Sequence, residues 1–343
     1  MADHFLPPDI HLAHLLVVPL AFAAVLTDFR RTAVTAVLAV AGLLAAAVER
    51  NALTTESVLV ELLSLVLISL LLLLVVRLRD EHRIRLAAAR RVSEITQAVL
   101  MPQLPRHAGA VSVAATYASA DTEARIGGDL YAIARTPKAT RLIIGDARGK
   151  GLAAIGDVAT VLGAFRLAAH RPTTLSRLAA HLEASFGHGL AAETAAGGEG
   201  GTDERFVTAA LLEIPDDAPY ARLISFGHTP PVLLRDGTAT AIEVPDPAPP
   251  LGLTALAPAV HGALTFRFAP GDSLLLYTDG LTESRDAAGA FYPLVERAAA
   301  WAGEHPEALV ERIGEDVRAH RGAAQHDDMA IVALRRNHCV DGH

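Results

Sequence analysis

Cysteine, lysine and aromatic residues are scarce in this chain of 343 residues. It has one cysteine, Cys339, two lysines, Lys138 and Lys150, and 5% aromatic residues. A single cysteine excludes a disulfide scaffold and a cysteine-based zinc site. Acidic residues outnumber basic ones by 38 to 30, and the net charge of −8 argues against a nucleic-acid-binding surface. The sequence also lacks a Walker-type phosphate loop and a Gly-x-Ser-x-Gly elbow.

Charged residues are scarce in the stretch of the chain just before Arg77, where long apolar runs replace them. Between Arg31 and Arg77 the charged residues are Glu49, Arg50, Glu56 and Glu61. Apolar runs cover residues 10–27, 32–48 and 57–76, which at about 1.5 Å per residue can cross a hydrocarbon core. Helices of a soluble bundle would need a polar face, which these runs lack. We therefore predict a membrane domain, residues 1–76, with three transmembrane helices.

The charges that flank these runs predict their orientation. Residues 1–10 contain Asp3 and Asp9 but no lysine or arginine, which argues against a cleaved signal peptide. Arg30 and Arg31 follow the first run, and arginines cluster again in residues 77–85. Because basic residues favour the cytoplasmic side, three spans with an outside N-terminus satisfy both clusters. We expect a multi-pass protein of the cytoplasmic membrane, in contact with lipid, whose larger part is cytoplasmic.

Residues 77–105 are predicted to form a linker helix. Apolar residues recur there at helical spacing, with no helix breaker before Pro102. These apolar positions are Ile84, Ala88, Val92, Ile95 and Val99. Two interpretations remain open: a passive spacer, or a coiled coil that joins two copies of the chain in a homodimer.

Residues 106–336 are enough for one large core, and residues 337–343 form a tail. Strands are predicted at residues 111–117, 130–136, 140–145, 206–214, 221–226, 232–234, 264–268, 273–277 and 329–334. Helices are predicted at residues 152–170, 175–186, 292–302 and 306–320, with a flexible surface loop at 187–204. Tight turns between strand pairs indicate antiparallel hairpins. Paired helices between groups of strands favour an α+β domain whose sheets are covered by helices.

Carboxylates recur at the ends of these predicted strands. Asp129 precedes one strand, Asp146 and Asp279 each follow another, and Asp327 and Asp328 precede the last. A single Asp-Gly pair after a strand is most often only a turn. Turn chemistry does not require an acid at every one of these ends, whereas Mg²⁺ and Mn²⁺ require clustered oxygen ligands. The pattern therefore predicts a site for hard divalent cations.

Seven motifs, in this order, resemble those of the PP2C-type (PPM) serine/threonine phosphatases. The similarity is greatest to the bacterial branch of sporulation-stage-II-E and sigma-B-regulator phosphatases, and it covers roughly residues 90–336. The motifs are IGGDLYAI, IGDARGKG, FVTAALLEI, SFGHTPPVLLRDG, PPLGL, GDSLLLYTDGLTES and HDDMAIVALR. The resemblance implies an αββα sandwich with two Mn²⁺ or Mg²⁺ ions between its sheets.

The resemblance also implies a set of catalytic and metal-binding residues. These are Asp129, Asp146, Ala147 through its backbone carbonyl, Asp279, Asp327 and Asp328. Asp146 would bridge the two ions and Asp129 would hold metal-bound water, while either Asp327 or Asp328 joins Asp279 on the second ion. Water activated by both ions would attack the phosphorus of phosphoserine or phosphothreonine. The implied substrate is a phosphorylated cytoplasmic regulatory protein, an anti-sigma-factor antagonist.

The sequence departs from the family pattern at three positions. The family usually has aspartate at Ala132 and threonine at Ala330, and often a small or apolar residue at Arg148. Because every expected metal carboxylate remains, we interpret the chain as an active enzyme. A degenerate PP2C-like protein that only binds a partner is the alternative, since a fold does not guarantee its activity. A nucleotide cyclase is less favoured because Leu-Tyr, not Glu-Phe, follows Gly-Gly-Asp.

Two further residues have ordinary structural interpretations. His228 lies in a Gly-His-x-Pro-Pro sequence between two predicted strands, which is typical of a structural turn. Arg125 could clamp a substrate phosphate, but a surface charge is the simpler interpretation. Neither is placed in the catalytic set.

Overall fold

The computed structural model describes residues 12–49, 56–118, 127–149, 151–195, 205–253, 261–321 and 328–338. Contacts between residues divide the chain into two units, Met1–Ala89 and Arg90–His343. The division falls within one long helix.

The first unit is helical and carries most of the exposed apolar side chains. Its helices are α1 (Leu12–Leu26), α2 (Phe29–Glu49) and α3 (Glu56–Leu100). Two stretches, Phe29–Val48 and Val58–Ile84, are long and apolar enough to cross a membrane, and only 28% and 11% of them is buried. The expected first span at residues 10–27 lies partly outside the described residues; its described part is α1, which contains Pro19 and the apolar stretch Val17–Leu26.

A polar clamp joins the end of α1, the start of α2 and α3. The Arg79 guanidinium donates hydrogen bonds to the carbonyl oxygens of Ala24, Val25 and Thr27, at 2.8, 3.1 and 2.7 Å. The neighbouring Asp80 accepts one of 3.2 Å from the backbone N–H of Phe29. Arg79 therefore satisfies carbonyls that the end of α1 leaves unpaired, and Asp80 satisfies an N–H at the start of α2.

The second unit contains two antiparallel sheets. The first sheet has six strands in the order β1-β2-β11-β10-β7-β8, and the second has five in the order β3-β4-β5-β6-β9. The strands are β1 (His107–Ala108), β2 (Val111–Ala118), β3 (Asp129–Arg135), β4 (Ala139–Ala147), β5 (Val207–Pro215), β6 (Tyr220–Phe226), β7 (Val232–Arg235), β8 (Thr238–Ala241), β9 (Leu264–Arg267), β10 (Ser273–Tyr277) and β11 (Met329–Arg336).

Helices cover the outer faces of both sheets. They are α4 (Leu152–Ala168), α5 (Leu175–Ala195), α6 (Asp279–Thr282), α7 (Leu294–Ala298) and α8 (Pro306–Arg321). One apolar cluster joins the second sheet to α4 and α5, another fills the space between the sheets, and a third joins the first sheet to α7 and α8. Three cores between four layers form an αββα sandwich, which confirms the predicted fold class.

Most of the predicted elements are confirmed, with three corrections. The predicted loop at residues 187–204 is wrong in its first half, because α5 continues to Ala195 through the good helix formers of residues 190–195. The predicted helix at residues 292–302 contains only the five-residue α7 and a 3₁₀ turn. The short strands β1 and β8 were not predicted, since two to four residues carry too little alternation.

Candidate metal centre

Four carboxylates from both sheets meet at one edge of the sandwich. Asp129 begins β3 and lies directly opposite Asp146 in the β3–β4 register. Asp279 begins α6, immediately after β10, and Asp328 precedes β11. The charges of Asp146, Asp328 and Asp279 all act on Asp129, so these groups lie within electrostatic reach of one another. These four residues therefore lie near one another, and their role as metal ligands stays a prediction.

Two glycines permit the close approach of these carboxylates. A Cβ atom on Gly127 would lie 1.8 Å from Oδ2 of Asp328, and one on Gly128 would lie 2.2 Å from the carbonyl oxygen of Ala147. The Ala147 carbonyl oxygen is part of the backbone and the Asp328 carboxylate is buried, so neither could move far enough to relieve these overlaps. The Ala147 N–H also donates a 2.9 Å hydrogen bond to the Gly128 carbonyl, which fixes the two segments side by side. Gly127 and Gly128 are thus required by the packing of the site itself.

The electrostatics of Asp129 indicate a site built for positive charge. Its side chain is only 3% exposed. Burial, followed by repulsion from Asp146, raises its pKa well above the ordinary value, and only the hydrogen bond from Thr278 opposes this shift. A buried, ionised carboxylate among three others is unfavourable unless it takes up a proton or cations neutralise it. This oxygen-only donor set fits Mg²⁺ or Mn²⁺.

The buried Thr278 hydroxyl connects the two sheets at this edge. Its Oγ1 donates a 2.8 Å hydrogen bond to Oδ2 of Asp129 and accepts one of 2.8 Å from the Ala330 N–H. Thr278 itself is fully buried. Sequence reasoning did not single out this residue, although it directly precedes Asp279. Its hydroxyl orients Asp129 from the opposite sheet.

His228 lies in the turn after β6 and contacts the strand that neighbours Asp146. Thr208 is the β5 partner of Asp146, and its Oγ1 lies 3.2 Å from Nδ1 of His228. The next residue, Thr229, donates a 2.7 Å hydrogen bond to the Tyr277 carbonyl. Burial lowers the pKa of His228 to about 4, against a smaller opposing effect of the Tyr277 backbone. This turn therefore links the strand pair that carries Asp146 to the end of β10.

The remaining predicted residues are placed as follows. Asp327 and Arg125 lie outside the described residues. Within the described ranges, no three His, Cys, Asp or Glu side chains are spaced to hold an ion as they stand. Side chains two residues apart in an extended strand point to the same face, and Asp328 lies two residues before Ala330. The Ala330 side chain packs between the sheets, so the Asp328 carboxylate lies on the same side as Asp129. Arg148 lies over the Phe206 ring, 5.3 Å from its centroid, and its backbone N–H bonds to the Phe206 carbonyl.

The geometry can now be compared with known proteins. The family model described as Stage II sporulation protein E (SpoIIE) matches residues 136–337, more than half of the chain. The chain belongs to the SpoIIE family. Its second unit is therefore a PP2C-type phosphatase domain, and SpoIIE-type phosphatases generally depend on Mn²⁺ or Mg²⁺. The matched residues include Asp146, Asp279 and Asp328, whereas Asp129 precedes them.

Solved structures share the SpoIIE-type fold at low sequence identity. The RsbU and RsbW domains of a Mycobacterium tuberculosis protein align with TM-score 0.54 and 22% identity, over 69% of this chain and 62% of that one. The phosphatase domain of Bacillus subtilis SpoIIE with a fragment of its regulatory domain gives 0.54 and 16%, over 66% and 63%. The SiaA-PP2C domain of Pseudomonas aeruginosa gives 0.57 and 14%, over 75% and 98%.

These alignments have a limited extent. The chain spans less than two thirds of the first two solved chains. No curated protein matches the sequence at a significant level. At these identities the structural likeness shows the fold alone.

Proposed function

We propose that the chain is a membrane-anchored, metal-dependent protein serine/threonine phosphatase that acts on a cytoplasmic regulatory protein. The observation that carries this proposal is the carboxylate cluster around Asp129, whose raised pKa reflects burial and three like charges. Such a cluster has no role in a binding module, where apolar or neutral residues would be more stable. Its fit to two hard cations favours the active enzyme over a degenerate partner-binding protein.

The proposed ligands are divided between the two sheets. Asp146 and the Ala147 carbonyl come from β4, and Asp279 and Asp328 come from the edge of the first sheet. Asp327, which lies outside the described residues, is the alternative to Asp328. Asp129, oriented by Thr278, would hold water beside them. When bound, two Mn²⁺ or Mg²⁺ ions would lower the pKa of water and offset the negative charge on the phosphoryl oxygens. The chain's own contribution is to fix these oxygens in place and to exclude bulk water around Asp129.

Membrane anchoring by the first unit is part of the proposal. Two of its helices can span a membrane by length and composition, and little of their apolar surface is buried. The Arg79 clamp supports an orientation with the α1–α2 turn and the distal part of α3 on one side. Since both arginine clusters lie there, the positive-inside rule assigns that side to the cytoplasm. We propose residues 1–76 as the membrane domain, 77–105 as linker, 106–336 as the phosphatase domain and 337–343 as a tail.

The proposed substrate is a phosphorylated anti-sigma-factor antagonist. The family resemblance implies this class, and one solved relative combines an RsbU domain with an RsbW domain in a single chain. A soluble regulatory protein would reach a phosphatase domain on the cytoplasmic side of the membrane.

Phosphate release by the full chain in detergent tests the proposal. A phosphoserine peptide and p-nitrophenyl phosphate are incubated with Mn²⁺ or Mg²⁺, then with a chelator, then with the ion restored. We expect metal-dependent release of phosphate that the chelator abolishes and the ion recovers. If a folded chain releases no phosphate from either compound with either ion, it is the degenerate partner-binding protein instead.

A further inference from the structure

A groove of about 500 Å³ lies between the edge of the first sheet and α8. One wall is β2, from Ala114 to Ala118, and the other is α8, with Gly314 near the middle. Both Ala114 and Ala115 line the groove, although side chains of successive strand residues point to opposite faces. The groove therefore follows the edge of β2 rather than one of its faces.

Along residues 114–116 this edge of β2 has no strand partner among the residues that the structure describes. One edge of β2 pairs with β11 along the whole length of the strand. At the other edge, which we call the outer edge, β1 pairs only with Val111 and Ser112. Among the strands that the structure describes, none pairs with the outer edge at residues 114–116. An open strand edge of this kind binds extended peptides through main-chain hydrogen bonds.

The α8 wall of the groove has opposite charges at its two ends. Glu307 and Glu311 lie near the start of the helix, and Arg318 and Arg321 lie near its end. The two arginines are three residues apart and therefore neighbours on one helix face. Burial lowers the pKa of Arg321, and the nearby charge of Arg318 lowers it further. The arginine end of the groove thus favours an anionic group.

The arginine end of α8 lies near the start of β11. Arg335, near the end of β11, donates a 2.7 Å hydrogen bond to the Gly303 carbonyl just before α8, so the helix and the strand run in opposite directions. Ala118 at the end of β2 pairs with Met329 at the start of β11, and both line the groove. Met329 directly follows Asp328. A peptide bound in the groove would therefore pass out of it at the arginine end, beside the candidate metal centre.

We propose that this groove binds the segment of the phosphoprotein substrate that flanks the phosphorylated residue. The segment adds as an extended strand to the edge of β2, and its acidic side chains lie against Arg318 and Arg321. This inference rests on the proposed phosphatase function and adds to it a preference for acidic residues near the phosphoserine.

The test compares two phosphoserine peptides with the full chain in detergent. One peptide has glutamates on both sides of the phosphoserine, and the other has glutamines at the same positions. In R318E/R321E we expect KM for the glutamate peptide to rise about tenfold with kcat within about twofold, as for the loss of a charge pair at an interface rim. Turnover of p-nitrophenyl phosphate, which is too small to occupy the groove, should not change. A matched control is R171E/R177E, which reverses two exposed arginines outside the groove.

A second variant tests occupation of the groove independently of charge. A Cβ atom on Gly314 would meet only the Arg318 guanidinium, at 3.9 Å, so Gly314→Leu can fold and fill the groove. It should raise KM for both peptides and leave p-nitrophenyl phosphate unaffected. Gly163→Leu, on the exposed side of α4, is its control.

Failure of the groove proposal and failure of the proposed function are distinguishable. Unchanged KM for the glutamate peptide in R318E/R321E and Gly314→Leu, with normal p-nitrophenyl phosphate turnover, would overturn the groove proposal alone. A chain inactive on every compound would overturn the phosphatase function. In that case fluorescence anisotropy with a labelled phosphonate analogue of the glutamate peptide still decides: weaker binding by R318E/R321E supports the groove, and equal binding overturns it.

Discussion

Thr278 directs its hydroxyl proton to Asp129. Its Oγ1 accepts the Ala330 N–H at 2.8 Å and lies 2.8 Å from Oδ2 of Asp129. Since a hydroxyl has one proton, and Asp129 is the carboxylate within reach, the two hydrogen bonds together fix the rotamer of both side chains. The contact crosses from the end of β10 in the first sheet to the start of β3 in the second.

Replacing Thr278 should therefore weaken metal binding before it affects the fold. Thr278→Val keeps the shape but leaves Asp129 without its donor, and we expect Mn²⁺ affinity to fall about 10- to 100-fold. Thr278→Ser keeps the hydroxyl and should retain most of the affinity. Isothermal titration calorimetry with Mn²⁺ measures both variants. Parental affinity in Thr278→Val would show that the hydrogen bond from Thr278 to Asp129 does not contribute to metal binding.

Asp146→Asn tests the proposed bridge between the ions. The substitution preserves shape and removes one negative charge, so metal affinity and turnover should both fall, the rate by about 10² to 10⁴. Asp217→Asn, an exposed aspartate far along the chain from the cluster, serves as control. Near-parental activity of Asp146→Asn would mean that the centre is assigned to the wrong residues.

His228 should make the stability of the fold depend on pH. Its folded-state pKa is about 4, below the ordinary value of 6.5. Between these values the unfolded chain binds a proton that the folded chain does not, so stability falls as pH decreases from 6.5 towards 4. His228→Gln should reduce this slope, whereas His188→Gln on the exposed side of α5 should not. Urea unfolding followed through Trp301, the single tryptophan, measures it, and equal slopes in both variants would refute the assignment.

The proposed topology can be tested with reporter fusions. Fusions after residue 29 and after residue 85 should both report the cytoplasm, because the first site lies immediately before Arg30 and Arg31 and the second follows the arginine cluster at residues 77–85. A fusion after residue 54 should report the outside. The contact of Arg79 with the α1–α2 turn requires the first two sites to agree. A periplasmic signal after residue 85 would contradict the orientation.

The sequence predicted elements with strong periodicity and missed relationships that arise only in three dimensions. The short apolar runs at residues 142–144 and 274–276 lie in the buried strands β4 and β10. The carboxylates were found because each stands at a strand end, a local signal. Their pairing, with Asp129 opposite Asp146, depends on strand register, which the turn and the core set together.

Residues whose role depends on partners distant in the sequence could not be assigned a function from the sequence alone. Thr278 is one of many threonines, and its role depends on Asp129, 149 positions away in the chain. The groove beside β2 combines residues separated by some two hundred positions, so no motif could reveal it. The extension of α5 was missed because two glycines and a glycine-rich stretch outweighed the helix propensity of the residues between them.

Because the carboxylates are divided between the two sheets, bound cations would connect one sheet to the other. Asp129 and Asp146 belong to one sheet, and Asp279 and Asp328 to the edge of the other. Ions shared between them would resist any sliding of one sheet over the other, and a loss of sheet alignment would in turn expel the ions. By mass action, a concentration 100 times the dissociation constant would add about 2.7 kcal/mol to the free energy of unfolding. The melting temperature of this protein would then report the divalent-ion supply of its compartment.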